Sequence, residues 1–357
     1  MTSDKKIPLV SVILPMYNAG RYIKSCVESV LCQTMPDFEL ICIDDCSTDD
    51  TLKIVKDFAG RDARIKIART KKNSGAAYEP RNIGLKTSRG KYIAFIDSDD
   101  LYTKTALEEL LKVAEDFQAD VVDTEKIYRP EDEQINFDDV TGLPIYTRQT
   151  AEFCTAPKVE TDNLAERIQN YLAGKYFCVI YNKIYRRDFL MNNDIKFPPV
   201  KLSEDIMFYF FVLCTAPKIV RAPGIVYIYR QNPESVTHRN SRSDDAKKIL
   251  DQALDIITAG VKSMDDFMKK IPALAKNSWV RMLAIDYFVQ GHYPVIAQFY
   301  EKLPPEQTAN LIADVLPNYA GENAAFFAYI FNAFNTYRKR LFDYENKMRE
   351  LQRGGMS

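Results

Sequence analysis

Four short runs of strand-forming residues, each followed by a stretch with helical spacing, occupy the opening third of the chain: Leu9 to Pro15, Phe38 to Ile43, Ile65 to Ala68 and Lys91 to Ile96. The runs are apolar almost without interruption, the pattern of strands covered on both faces. After the first, with Pro15 expected to end it, Arg21 to Gln33 places Tyr22, Ile23, Cys26, Val27, Val30 and Leu31 along one face. Ser47-Thr48-Asp49 opens a second helix through Phe58, and a third reaches Thr87 before Arg89-Gly90 turns the chain. Alternation of this kind predicts a parallel sheet with helices on both sides, and such sheets bind ligands beyond the carboxyl ends of their strands. Three segments far apart in sequence, Pro15 to Asn18, Asp44-Asp45 and Asp97 to Asp100, are therefore expected on one edge.

The fourth run ends in Asp97-Ser98-Asp99-Asp100. Carboxylates this close repel one another and are costly to hold unless a cation or a hydroxyl-rich ligand satisfies them. An all-oxygen donor set suits Mg²⁺ or Mn²⁺, ions that usually share their coordination with phosphate. The plainer reading is that Asp100 or Thr103 caps the helix that begins at Ala106. Neither glycine-rich phosphate fingerprint is present, so a metal rather than a glycine nest is expected to hold any phosphate.

Composition narrows the field. With 48 basic and 49 acidic residues among 357, no global field recruits nucleic acid, and anion binding must be local. The seven cysteines are odd in number, lie mostly in apolar segments and form no C-x-x-C pair, as expected of reduced core residues. His238 and His292 are the only histidines, which excludes a histidine-rich metal centre. The N-terminus lacks a secretory apolar core and no run approaches a membrane span, so a cytoplasmic protein is expected.

Four blocks carry a resemblance: Val10 to Asn18, Phe38 to Asp45 with Ser47-Thr48-Asp49, Arg81-Asn82-Ile83-Gly84, and Gly90 to Asp100. In that order, over about residues 8 to 125, they resemble the nucleotide-binding half of family 2 glycosyltransferases of the GT-A fold. The resemblance implies an α/β fold with a mostly parallel sheet covered by helices, a UDP-sugar donor, a metal bridging its diphosphate, and inversion at the anomeric centre. Donor contacts then fall to Pro15, Tyr17, Asn18, Asp45, Arg81, Asp97, Ser98 and Arg230. Residue chemistry agrees at several points. Asp45 can accept from the uracil imide, which cytosine lacks, while Asp44 braces its loop. Asp97 is suited to ribose hydroxyls, Asp99 to the metal, and the fork of Arg81 to phosphate or to Asp97 itself. One departure from the family is an extra residue before Arg81, with Pro80 expected to interrupt the helix start there.

The second half is more varied. Glu125 to about Ala165 reads as a polar insertion, and Tyr176 to Arg187 as a strand with Asn182-Lys183 where the family often has a similar pair. Ser203 can cap a helix with an apolar face of Ile206, Phe210 and Leu213, leaving Glu204 and Asp205 in its first turn. This pair resembles the family's Glu-Asp motif, in which the aspartate is the general base. Asp205 is the expected catalytic base, with Glu204 positioning the acceptor or Arg230. The polar loop from Gln231 to Asn240 could close over a diphosphate, and His238 within it could join Asp97 and Asp99 as a metal ligand.

Beyond Asp244 the pattern is helical, over 246–258, 278–290, 305–316 and 323–351. The last carries a heptad stripe that includes Phe334, Tyr337, Leu341, Tyr344 and Met348, which fits a coiled-coil arm, a core helix or an interfacial membrane helix. A homo-oligomer through this helix is expected. The division that follows is 1–126 for donor and metal, 127–243 for the acceptor side and base, and 244–357 for the helical region. The expected activity is metal-dependent transfer of a sugar to a hydroxyl of a glycan or lipid-linked acceptor in surface polysaccharide synthesis. Peripheral contact with the inner membrane face would come through that acceptor. The alternatives are a nucleotidyltransferase, whose glycine-rich basic loop is missing near residue 18, and a non-catalytic nucleotide-sugar-binding scaffold.

Overall fold

The structure, a computed structural model, describes residues 7–130, 145–146, 153–232, 245–292 and 305–315. The chain divides into two compact units, residues 1–232 with 267–275, and residues 233–266 with 276–357.

The first unit is built on one mixed sheet. Strands β1 (Val10–Met16), β2 (Phe38–Asp44), β3 (Ile65–Arg69) and β4 (Tyr92–Phe95) pair in parallel in the order β3-β2-β1-β4, as the alternation predicts. Helices α1 (Ile23–Leu31), α2 (Thr51–Ala59) and α3 (Tyr78–Thr87) make the crossovers. After a two-residue strand β5 (Leu101–Tyr102) and α4 (Ala106–Phe117), the chain adds β6 (Val121–Tyr128), the short β7 (Ile145–Tyr146) and β8 (Lys158–Val159), and α5 (Leu164–Leu172). It continues with β9 (Lys183–Arg186), α6 (Arg187–Asn192), α7 (Glu204–Thr215) and β10 (Ile219–Ile228). Antiparallel β9 sits between β4 and β6, and β10 runs parallel to β6. Strands β4, β6 and β10 therefore share a direction, and their carboxyl ends lie on the same edge as those of β1 and β2.

Local chemistry departs from expectation at four points. Pro15 does not end β1. It pairs in register with Ile43 and the strand continues to Met16, whose carbonyl accepts from Asp45 N at 2.9 Å. Pro80 does not interrupt α3 either. It is the third helical residue, in the first turn, where its missing N–H has no intrahelical partner to lose, and the next N–H, of Arg81, closes on Ala77 O at 3.0 Å. The strand expected from Tyr176 to Arg187 shrinks to Lys183–Arg186, because the residues before it form a turn whose carbonyls serve a buried side chain. Finally, α7 is buried from Met207 to Cys214 rather than along one face, as a central helix requires.

In the second unit, Ala246–Asp255 is capped by the Asp245 side chain, which accepts from Lys248 N at 3.1 Å. The helix runs on through a π turn over Ile256–Gly260, past the expected end at 258. Ser278–Gln290 and Pro305–Val315 match their expected ranges, and His292 closes the turn after the former with Nδ1 2.7 Å from Phe288 O. The heptad segment 323–351 lies outside the described residues, as do residues 131–144 and 147–152 of the 125–165 insertion and the polar loop beyond Asn232. Among the described residues, no helix is long and apolar enough to cross a membrane.

Candidate active site

The site forms where β1, β2 and β4 end. Asn18, in the left-handed region at φ 48°, ties the first two loops together: its N–H donates to Ser47 Oγ at 3.1 Å and its Oδ1 accepts from Thr48 N at 2.8 Å. Asp49 adds a second tie by accepting from Gly20 N at 2.8 Å. Asp44 braces its own loop as expected, accepting from Ser47 N at 3.1 Å and facing Arg69 at 2.9 Å. Tyr17, 44% exposed, stands beside this junction.

Asp45 is only 4% exposed, and both its oxygens are engaged. Thr70 Oγ1 donates to Oδ1 at 2.7 Å, Ser74 Oγ donates to Oδ2 at 2.8 Å, and Ser74 N lies 3.0 Å from each oxygen. Asp45 thus holds the Asn73-Ser74-Gly75 loop.

The acidic turn is divided among three tasks. Asp100 does not cap α4. It is buried, accepting from Tyr227 Oη at 2.7 Å and Arg230 N at 2.8 Å, and so fastens the turn to the end of β10. Tyr227 Oη in turn accepts from Asp97 N at 3.1 Å. Asp99 Oδ2 accepts from Asn232 Nδ2 at 2.8 Å, and its carbonyl accepts from Arg230 Nε at 2.5 Å. Asp97 Oδ1 accepts from Arg81 at 2.7 Å. Ser98 is partly exposed between them. Arg230, its guanidinium 5.2 Å from the Tyr22 ring centre, is buried with Nη2 lacking a hydrogen-bond partner.

Arg81 unites the two acidic motifs. One arm bonds Asp97 and the other reaches Glu204 Oε1 at 2.5 Å, so the first turn of α7 is docked against the end of β4. Glu204 therefore serves Arg81 and not Arg230. Ser203 occupies the cap position, but at φ 62° and without a side-chain capping bond. Asp205 is half-buried, with Oδ1 accepting from Ile206 N at 2.9 Å.

Carboxylates outnumber guanidinium groups here. Burial works against the Arg81 cation, but Asp97 and Glu204 outweigh it and hold the guanidinium protonated. Burial pushes the Glu204 carboxyl up to about 7, with Arg81 opposing and Asp205 adding to the rise. Asp205 is raised for the same first reason, again against Arg81. Burial also raises Asp99 and Asp100, and the neighbouring Asp97 charge adds to both.

That surplus of negative charge bears on the expected metal. One oxygen of Asp97 is taken by Arg81 and one of Asp99 by Asn232, which leaves a second oxygen on each carboxylate for a hard cation that would relieve their repulsion. The donor set fits Mg²⁺ or Mn²⁺ in a site completed by phosphate and water. Among the described residues no three acidic, histidine or cysteine side chains gather as a protein-only cage, and His238 lies outside them.

Sequence reasoning passed over Tyr227, Asn232, Asp123 and Tyr209, and noted Lys183 only as part of a strand motif, not as the partner of Asp123 in a buried trio with Tyr209. The trio left a signal: Asp123 and Lys183 are opposite charges, each embedded in an apolar strand-like run.

The comparisons extend the geometry. A family model described as Glycosyl transferase family 2 matches residues 11–192. The chain is 30% identical to the uncharacterized glycosyltransferase YibD of Escherichia coli K12, over 68% of this chain and 67% of that protein. To the uncharacterized glycosyltransferase EpsJ of Bacillus subtilis it is 30% identical over 65% of this chain, spanning 63% of EpsJ. To the poly(ribitol-phosphate) β-N-acetylglucosaminyltransferase TarS of Staphylococcus aureus MW2 it is 32% identical over 63% of this chain, but spans only 36% of that protein. A solved structure of S. aureus TarS residues 1–349 in complex with UDP-GlcNAc superposes with a TM-score of 0.54 at 23% identity, covering 92% of this chain and 91% of that one.

Proposed function

Because the chain belongs to glycosyl transferase family 2, we propose that it transfers a sugar from a UDP-sugar to a hydroxyl of a glycan or lipid-linked acceptor in surface polysaccharide synthesis, with inversion at the anomeric carbon. The observation that carries this reading is the Arg81 bridge, which brings the Asp97 turn and the Glu204–Asp205 pair into one site. The name of TarS, a polyol-phosphate N-acetylglucosaminyltransferase, supports the class of donor and acceptor.

In this reading Tyr17 and Asn18 border the nucleoside, Asp45 and its loop meet the base, and Asp97 bonds the ribose. Pro15 sets the course of the backbone beneath them. Asp97 and Asp99 would hold Mn²⁺ or Mg²⁺, with His238 as a further ligand. When bound, such an ion neutralises the charge that develops on the departing diphosphate. The partnerless Nη2 of Arg230 supports a phosphate contact at the same place. On the other side of the sugar, Asp205 Oδ2 takes the proton of the acceptor hydroxyl as its oxygen attacks the anomeric carbon. Glu204 keeps Arg81 in place while this happens. Assembly through the heptad helix and contact with a membrane through the acceptor complete the proposal.

The test is a screen of UDP-sugars for acceptor-dependent UDP release with Mn²⁺ or Mg²⁺. One donor giving turnover that is lost in Asp205→Asn supports the reading. Release of pyrophosphate from a nucleoside triphosphate instead, or donor binding without transfer to any acceptor class, would overturn it.

A further inference from the structure

The core of the first unit holds an ion pair that the chemistry above does not use. Lys183, the first residue of β9, is 0% exposed, and its ammonium lies 2.7 Å from Asp123 Oδ1 on the adjacent strand β6. It also donates to Asn182 Oδ1 and to Phe177 O, both at 2.9 Å, while its contact with Asp123 is an ion pair. The other oxygen of Asp123 accepts from Tyr209 Oη on α7 at 2.5 Å, and the ammonium lies 4.5 Å from the Tyr209 ring centre. Burial lowers the affinity of Lys183 for its proton, with Asp123 opposing.

Apolar residues of similar volume would hold such a core at least as firmly, because taking two charges out of water costs about what their attraction returns. What they would lack is direction. The Tyr209 hydroxyl can meet Asp123 at only one rotation and one height of α7. Tyr209 is four residues after Asp205, one turn below it on the same face of the helix. The rest of α7 from Met207 to Cys214 is apolar and buried, and its packing contacts are less directional than a hydrogen bond. At its amino end Arg81 holds Glu204, not Asp205.

We infer that Asp123, Lys183 and Tyr209 form a positioning device, a buried charged anchor in the sheet that sets the rotation of α7 and so places the Asp205 carboxylate against the acceptor hydroxyl. The inference rests on the proposed transfer reaction, but its mechanical part does not depend on it. The acceptor oxygen, the anomeric carbon and the base must align to a fraction of an ångström, and small displacements remote from the chemistry are enough to slow such a reaction. All three residues are buried, so they act through α7 as positioning residues.

Two variants test it. Tyr209→Phe removes one hydroxyl and keeps the ring. Asp123→Leu/Lys183→Met removes both charges together and so leaves neither stranded. Both are measured for acceptor-dependent UDP release and thermal midpoint, and for hydrogen exchange over residues 203–209 against 10–16 as control. The expected result for each is a kcat about tenfold lower with the donor KM within about twofold, the direction that misplacement of a reacting group gives. Exchange should quicken in 203–209 and stay unchanged in 10–16. A lowered thermal midpoint with kcat and exchange unchanged would show a core role only and overturn the inference, as would quickened exchange with kcat preserved. If Asp123→Leu/Lys183→Met does not fold, Tyr209→Phe decides alone. If the wild type transfers nothing from any donor, the proposed function fails, and unchanged exchange in Tyr209→Phe then separately refutes the anchoring of α7.

Discussion

Between Asp97 at 2.7 Å and Glu204 at 2.5 Å, the Arg81 guanidinium divides its fork between carboxylates remote in sequence, one after β4 and one on α7. A lysine supplies a compact point charge and lacks the planar fork that spans the two carboxylates. Arg81→Lys should therefore release the first turn of α7 and lower kcat/KM by about tenfold, whereas Arg81→Met, which strands buried carboxylates, should also cost about 3–5 kcal/mol of stability. UDP release and denaturant unfolding measure the two effects, and wild-type rates in Arg81→Met would sink the bridge as a functional element. The same charges set a pH dependence. With Glu204 raised to about 7 by burial, against Arg81 and reinforced by Asp205 and Asp97, that carboxyl sheds its proton only on approaching neutrality, and burial raises Asp205 as well. If Asp205 must be ionised to accept a proton, its carboxyl, raised by burial against Arg81, should make kcat fall on the acid side at a pH above the ordinary aspartate range. Stability runs the other way. A carboxyl raised on folding contributes stability that is fully present below its unfolded value of 4.5 and is lost as pH rises through about 7, so Glu204→Gln should flatten that slope. At the donor end, Asp45→Asn replaces acceptors by an amide that can donate. It should reduce the preference for UDP over CDP and loosen the Ser74 loop, and competition calorimetry showing an unchanged preference would move base reading elsewhere.

A helix can absorb a proline if the proline falls where no hydrogen bond is missing. The first turn of α3 does this with Pro80, and Arg81 keeps its reach because its own N–H is the first to close the ladder. Pro80→Ala should consequently change stability by less than about 1 kcal/mol, with any loss coming from the freer unfolded chain. A thermal midpoint raised by many degrees would show that the proline strains the helix after all. The shortened β9 follows a related logic. Residues 176–182 have strand-like composition, yet the Phe177 carbonyl turns to the Lys183 ammonium and Asn182 exchanges bonds with Thr124, so side-chain demands in the core override the local preference.

For the molecule as a whole, the first unit is not contiguous in sequence. Residues 267–275 return to it after the chain has left at Asn232, and the Phe267 ring stacks on Phe211 of α7 at 4.0 Å. Phe267→Ala should cost about 3 kcal/mol by the transfer and cavity terms of a buried aromatic. A chain ended at Asn232 should be less stable than one ended at Ala275, measured by denaturant unfolding, and equal midpoints would show that the returning segment is dispensable.

Composition and period were enough to foretell the parallel half of the sheet, because apolar strands covered on both faces and one-faced helices can be combined in few ways. The same alternation placed Asn18, Asp45 and Asp97 on one edge, since parallel strands send every carboxyl end the same way. The Glu204–Asp205 pair was visible as a motif, but its partner was not. That Glu204 meets Arg81, that Asp100 is a fastening to Tyr227 instead of a helix cap, and that Asp123, Lys183 and Tyr209 share a buried bond network all depend on distances between segments remote in sequence. Periodicity records which face of an element is buried. Which polar groups then find one another within it is decided only when the packed core, by excluding water, makes every unmade hydrogen bond costly.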